Sequence, residues 1–376
     1  MIHVVFLIRK LDLGGAERQL TWLAQGLNPN RFRVTVLTFY RGGEFTDSLT
    51  SAGISVRSLE KRHRWDVVGF QARIVAELRA LKPNIVQSYQ GPPNLAALLA
   101  RRFAPDTSVI WGIRGSNMDL SEYDYTRKAV FRLERRLSHL PDLIIANSFA
   151  GRDYVTAQGF APGKLQVIPN GIDIEVFKPD PIRRANLRKA WGFRDDTIVV
   201  GMVARLDPKK DHSTYLKAAS LLSREYPHVR FVCVGHGDSK QLQTLQTQVR
   251  SLDLEEQFIW KPPHDAPAAF NAFDISTLSS AYGEGFPNVV AESMACEIPC
   301  VATDTGDAAL IIDNNDLVVP PRDPTAMAAA WKLLLDLDAD SKRSLRKRIR
   351  KRVASLYSIE RMVQSTARAY EELASR

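Results

Sequence analysis

Twelve short runs rich in β-branched and aromatic residues alternate, for most of the chain, with stretches of helical period. No single motif constrains the fold as strongly. Six of these runs lie at 3–8, 32–38, 54–59, 84–89, 108–113 and 142–147. Between them, apolar residues such as Ala16, Leu20, Leu23 and Leu27 fall on one helical face, and 72–81 and 94–102 behave alike. The pattern restarts with 197–204, 229–235, 257–260, 274–280, 299–303 and 316–320, with helices expected at 211–224, 238–251, 286–296 and 324–337. Strand, helix, strand, repeated, calls for parallel sheets covered on both faces. The expected fold class is therefore α/β: two Rossmann-like doubly wound domains facing each other across a cleft.

The expected boundaries follow. Residues 1–172 form the first domain. Residues 173–196, with Pro179, Pro181 and many charges, form a linker or hinge. Residues 197–357 form the second domain, and 358–376 a C-terminal helix packing back on the first. A chain of 376 residues is long enough for two cores.

The formal net charge of +9 favours anionic partners. The run 342–352 holds eight basic residues and no acidic one. It has two readings, a solvated helix face or a contact with anionic lipid or nucleic acid. The three cysteines, Cys233, Cys296 and Cys300, match no metal spacing. Reduced, partly buried thiols suit a cytoplasmic location. The opening MIHVVFLI reads as a first strand rather than a signal peptide. No apolar run approaches the ~20 residues that span a bilayer, so any membrane contact is expected to be peripheral.

In open α/β sheets ligands bind beyond the C-terminal ends of the strands, and four constellations fall there. Gly14 and Gly15, in LDLGGAERQL, follow the first strand and open a helix. They suit either a turn needing positive φ or close backbone approach to an anion at a helix N-terminus. Arg205 and Lys210 lie between a strand end and a helix start. They are either surface cations or a clamp on a diphosphate, one a planar fork and the other a point charge. Gly235 and Gly237 form G-x-G after a strand, without the third glycine of a dinucleotide fingerprint. The stretch SSAYGEGFPNVVAESMA carries Glu284 in a turn and Glu292 in the helix beyond. Pro287 suits the first helical turn. The amides near Phe286, Asn288 and Val289 would then leave the helix N-terminus free for hydroxyl or phosphate oxygens. A carboxylate matches a sugar diol by accepting two hydrogen bonds. The plainer reading has Glu284 complementing the helix dipole and Glu292 exposed.

Together these residues resemble the retaining glycosyltransferases of family 4, which have the two-domain GT-B fold. The likeness rests on EGFPNVVAE (284–292), GGAER (14–18), VIPNGIDIEVFKP (167–179), ARLDPKK (204–210) and SIERMVQSTARAYEEL (358–373), in family order over almost the whole chain. It implies that Arg205 and Lys210 hold the donor diphosphate and that Glu292 binds the nucleotide ribose. Glu284, with Gly285, Phe286, Asn288 and Val289, would hold the donor sugar. Gly14 and Gly15 would lie under the diphosphate, and Gly235, Lys261 and Pro262 would flank the base. The implied reaction retains configuration, uses no metal and no cofactor, and takes a nucleotide-diphosphate sugar, UDP- or GDP-linked, as donor. The family often has a histidine after the strand at 108–113, where this chain has Arg114, which is either a ligand contact or a structural arginine.

The acceptor is expected to be a glycan or a lipid-linked sugar in cell-surface polysaccharide synthesis. The basic stretch 127–140 is either a solvated helix of a basic protein or one that offers Arg127, Lys128, Arg132, Arg135 and Arg136 to an anionic membrane surface, with Val130, Phe131 and Leu133 buried. Localisation would be cytoplasmic, with a peripheral hold on the inner face of the membrane. Two rivals share the architecture, a nucleotide-sugar 2-epimerase and a non-catalytic sugar-nucleotide binder. No nucleic-acid motif is present. The missing G-x-G-x-x-G speaks against an NAD oxidoreductase.

Overall fold

A computed structural model of the chain describes residues 1–63, 65–116, 125–194, 196–262 and 265–375. Asp195 of the expected linker and Arg376 of the expected C-terminal helix lie outside them. The chain divides into two compact units, one of residues 1–171 with 359–376 and one of residues 172–358.

The first unit begins β1 (Ile2–Ile8), α1 (Gly15–Gly26), β2 (Phe32–Thr38), α2 (Thr46–Ser51), β3 (Ser55–Ser58) and α3 (Val68–Leu81). It continues β4 (Ile85–Tyr89), α4 (Pro92–Arg101), β5 (Ser108–Ile113), α5 (Tyr125–Leu137), β6 (Leu143–Ala146), α6 (Phe149–Ala157) and β7 (Leu165–Val167). The sheet is parallel in the order β3-β2-β1-β4-β5-β6-β7. Alternate residues of β1 feed two cores, as a pleat of period two requires. Val4, Phe6 and Ile8 meet α1 and the C-terminal helix through Leu20, Leu23 and Tyr370. Val5 and Leu7 join Ile74, Leu78 and Ala97 of α3 and α4 on the other face.

The second unit runs α7 (Pro181–Ala190), β8 (Ile198–Val203), α8 (His212–Ser223), β9 (Val229–Val234), α9 (Ser239–Ser251) and β10 (Phe258–Lys261). It goes on with α10 (Ala266–Ala272), β11 (Ile275–Leu278), α11 (Asn288–Ala295), β12 (Cys300–Thr303), α12 (Ala308–Ile312), β13 (Val318–Val319), α13 (Pro324–Asp336) and α14 (Ala339–Leu356). Its sheet order, β10-β9-β8-β11-β12-β13, repeats the plan of the first. Trp331 of α13 fills its centre, 5.5 Å from Tyr215 and 5.9 Å from Phe231, and donates to Thr277 Oγ1 at 3.0 Å. The last helix, α15 (Ile359–Ala374), belongs to the first unit.

Several local expectations are corrected. The segment 173–196 contains α7, whose Asp180 caps it by accepting from the Arg183 amide at 2.9 Å. Arg184 and buried Arg188 bind Asp274, which also accepts from the Val199 amide at 2.8 Å, so α7 is pinned to the starts of β8 and β11. The run 342–352 is more than a solvated face. It lies in α14, whose buried stripe is Leu345, Ile349 and Val353, and Arg350 donates to the carbonyls of Phe177 at 3.0 Å and Ile174 at 3.1 Å. On α5, Leu133 is 45% exposed and Glu134 is buried instead. The inward stripe passes through Phe131, Glu134 and Ser138, at helical spacing, and Leu133 falls off it. All three cysteines are free and fully buried, and burial pushes the thiols of Cys296 and Cys300 up to about 12.

Candidate active site

In the second unit the sheet order reverses direction between β8 and β11, and ligand crevices form at such points. Two loops leave the C-terminal ends of these neighbouring strands. One carries Arg205 and a 3₁₀ turn, Pro208–Lys210, into α8. The other carries residues 279–287 into α11.

The two loops are bonded together. Lys210 Nζ donates to Glu284 Oε1 at 2.5 Å, with both side chains largely buried. Ser280 donates to the same carboxylate oxygen at 2.7 Å. Ser279 Oγ donates to the Lys210 carbonyl at 2.7 Å, and the Ala281 amide to the Lys209 carbonyl at 2.8 Å. A third loop, after β12, braces the turn through the Asp307 amide, which donates to the Gly285 carbonyl at 2.8 Å. Gly306 makes that approach possible. Its φ is +59, and a Cβ there would stand 2.3 Å from the Gly285 oxygen. Burial acts to raise the Glu284 carboxyl. The Lys210 ammonium and its hydrogen bond, with Ser280 and Lys209, outweigh burial and hold it below the ordinary carboxylate range.

Other expected residues fall around this cluster. Arg205 is 60% exposed at the side chain and 4.0 Å from Asp207, so its guanidinium can reorient toward an anion. Glu292 is buried in α11, against the reading of an exposed helix residue. Pro287 is the residue before α11 rather than its first, and Asn288 opens the helix with Val289 next, so the first turn begins one residue later than expected. Phe286 is buried against Tyr357, ring centroids 5.2 Å apart. Gly235 packs so closely on the β8 loop that a Cβ would meet the Ala204 oxygen at 1.8 Å, and its amide donates to the Lys261 carbonyl at 3.0 Å. Lys261 ends β10 and Pro262 is exposed beyond it.

Two neighbours escaped the sequence reading. Ser280 lies four residues before Glu284, and a hydroxyl at that spacing in a turn was the available signal. His212 opens α8 two residues after Lys210, buried, its ring 5.8 Å from Trp260 and its Nε2 without a hydrogen-bond partner. Burial, followed by the Lys210 charge, lowers the imidazole to about 4 and keeps it neutral.

Gly14, Gly15 and Arg114 belong to the first unit. Gly14 precedes α1 with extended backbone at φ −161, and Gly15 begins the helix, so the turn needing positive φ is not the reason for either. A Cβ on Gly14 would stand 2.2 Å from Glu17 Oε2, which folds over the helix start. Arg114 follows β5, lies over the Tyr89 ring at 4.7 Å and donates to Asn170 Oδ1 at 3.1 Å. Among the described residues no cluster of histidine, cysteine or carboxylate side chains could hold a metal, and no helix is long and apolar enough to cross a membrane.

Comparison with known proteins bears on the family and the fold. The family described as "Glycosyltransferase Family 4" matches residues 13–176, and "Glycosyl transferases group 1" matches residues 183–352. The D-inositol 3-phosphate glycosyltransferase of Kineococcus radiotolerans is 31% identical over 229 residues, 54% of this chain and 51% of that protein. The GDP-mannose-dependent alpha-(1-6)-phosphatidylinositol monomannoside mannosyltransferase of Mycolicibacterium smegmatis is 30% identical over 264 residues, 67% of this chain and 66% of that one. The matched stretches thus span about half to two thirds of these curated relatives. The crystal structure of Anabaena HepE in complex with UDP superposes with a TM-score of 0.87 at 21% identity, covering 99% of this chain and 100% of that one. Two doubly wound units, two family models in tandem and whole-chain superposition identify the chain as a family 4 glycosyltransferase of the GT-B fold.

Proposed function

We propose that the chain transfers a sugar from a UDP- or GDP-linked donor to an acceptor hydroxyl, with retention of anomeric configuration and without a metal or other cofactor. The observation that carries this reading is the Lys210–Glu284 pair at 2.5 Å, joining the two loops at the switch point of the second unit. The relatives' names supply the range of donors, GDP-mannose for the mannosyltransferase and UDP or UDP-glucose for HepE.

The leaving group is a diphosphate whose charge grows as the glycosidic bond breaks. Cations aimed there lower the barrier, about 2.7–4 kcal/mol for one such contact. Lys210 would serve as a cation whose position is set in advance by Glu284, and exposed Arg205 as one that swings onto the diphosphate. Glu284, kept charged, would also accept hydroxyls of the donor sugar, together with the amides near Gly285, Phe286, Asn288 and Val289. Glu292 would take the ribose, and Gly235, Lys261 and Pro262 would border the base. Gly14 and Gly15 would approach the diphosphate, and Arg114 would meet donor phosphate or sugar. No covalent role is assigned to Glu284. The acceptor would be a glycan or lipid-linked hydroxyl, reached by a protein resting on an anionic membrane surface through the cations of α5, on the cytoplasmic side.

A melting-temperature panel with UDP-, GDP- and ADP-sugars tests the donor assignment. A shift of several degrees is expected with one base and lost in Arg205→Ala. No shift with any nucleotide sugar would remove the reading. Turnover of donor to an epimer without acceptor would convert it to the 2-epimerase reading, and binding without turnover to that of a non-catalytic binder.

A further inference from the structure

We propose that a cavity at the end of α5 is a second anion site, one that takes a phosphate group away from the catalytic edge. The cavity has a volume of about 530 Å³ and is lined by Arg132, Arg135, Arg136, His139, Gly159 and Ala161. No carboxylate lines it. Its place in the fold separates it from the donor site. Gly159 and Ala161 follow α6 and lead into β7, so they mark the edge of the sheet where strands begin. Donor chemistry in such folds belongs to the other edge, where strands end.

The walls are built rather than incidental. Ser138, buried beneath, donates to the Arg135 carbonyl at 2.8 Å and accepts from the Ala161 amide at 2.9 Å, which locks the end of α5 to the turn after α6. Gly159 turns the chain there with φ +90, a left-handed conformation that favours glycine, and the Arg135 stem lies beside it. Phe131 packs on Phe160 at 5.5 Å and holds the same two segments together from below.

The charge is concentrated and faces outward. Arg132, Arg135 and Arg136 are exposed, with Arg132 and Arg136 one turn apart on the same face. The one acid of α5 in this region, Glu134, points elsewhere and accepts from the Gly91 amide and Asn94. The helix dipole favours cations in a last turn, by about 0.3–1 kcal/mol each. That accounts for Arg135 and Arg136 at the end of α5, but not for a rigid concave wall opposite them. Three arginines lining one concavity match the oxygens of a phosphate. Leu133 and Leu140, 45% and 43% exposed, flank the arginines and suit a phosphate carried by a lipid headgroup. This inference deepens the membrane-surface reading of α5 and is independent of sugar transfer.

The test uses the full chain and two probes. Vesicles of phosphatidylglycerol in phosphatidylcholine report a headgroup by co-sedimentation, and inorganic phosphate reports a free anion by calorimetry. Binding to at least one probe is expected at low salt. The triple change Arg132→Gln, Arg135→Gln, Arg136→Gln should weaken vesicle binding about a hundredfold, about fivefold per arginine. Ala161→Phe, which fills the cavity without changing charge, should weaken binding to either probe. The control Lys347→Gln, Arg348→Gln, Lys351→Gln removes three exposed cations of α14 and should change little. Binding of phosphate without vesicles supports the site and ends the membrane reading. Loss of binding in the control equal to that in the triple variant, no effect of Ala161→Phe, or no binding to either probe overturns the proposal. UDP-glucose binding by the triple variant, followed in parallel, reports separately on the donor site.

Discussion

Glu284 of the second unit and Glu134 of the first are both taken largely out of water, and they are held in opposite ways. Glu284 accepts from an ammonium and a hydroxyl, and the cation outweighs burial, so its carboxyl lies below the ordinary range. Glu134 accepts from the Gly91 amide at 2.9 Å and Asn94 Nδ2 at 2.7 Å, with no cation, and burial raises it to about 7. Two neutral donors do not offset desolvation, whereas one buried cation does. The difference separates a carboxylate built to stay charged beside a ligand from one that fastens α5 to the loop before α4. It also reverses their effects on stability. Glu284 contributes stability above its unfolded value, and that contribution is lost as pH falls through its lowered value. For Glu134 the folded state binds more protons, so stability falls as pH rises from about 4.5 to about 7.

The largest test of the comparison removes the cation. Lys210→Ala should turn Glu284 into a second Glu134, a buried carboxyl raised above its ordinary value. Transfer should fall by on the order of 100–1000-fold. Breaking a buried pair from one side should also cost about 3–5 kcal/mol in urea unfolding. The double variant Lys210→Ala, Glu284→Gln should recover much of that stability and none of the activity. Near-normal turnover by folded Lys210→Ala would remove Lys210 from the diphosphate.

Next in size is Glu134→Gln, which keeps an acceptor for Gly91 and removes the titration. Raising a carboxyl from 4.5 to about 7 corresponds to on the order of 3 kcal/mol. The variant should therefore gain stability above pH 7, by up to that amount, and its unfolding midpoint should stay flat between pH 5 and 7 where that of the parent chain declines. A variant that keeps the parent's slope would show that another group carries it.

How much of this was legible in the sequence depends on whether the controlling contact was local. The doubly wound order follows from period-two strands alternating with helices, and Lys210 and Glu284 stood out because each follows a strand. Their direct bond joins residues 74 apart and depends on β8 and β11 being neighbours, which no spacing displays. The same holds for α7. Its prolines and charges read as a linker until Arg188, buried at 3% exposure, meets Asp274. Gly235 looked like half of a nucleotide fingerprint. Its lack of a side chain is required at least by the Ala204 carbonyl, a contact from the neighbouring strand end. On α5 the apolar residues misled, because the face that turns inward carries Glu134 while Leu133 points out.

The smallest effects come from the neutral donors, and they test the comparison most finely. Ser280→Ala removes one hydrogen bond to a charged acceptor and should cost about 1.5–3 kcal/mol. Glu284 should rise only part of the way, because Lys210 remains. Asn94→Ala removes a donor that favours the charged form of Glu134, so that carboxyl should rise above about 7 while folding loses about 1 kcal/mol. Carboxyl titration by NMR would follow both. If Ser280→Ala raised Glu284 as far as Lys210→Ala does, the hydroxyl rather than the cation would be what keeps that carboxylate charged. The contrast between the two glutamates would then lie in hydrogen-bond geometry and not in charge.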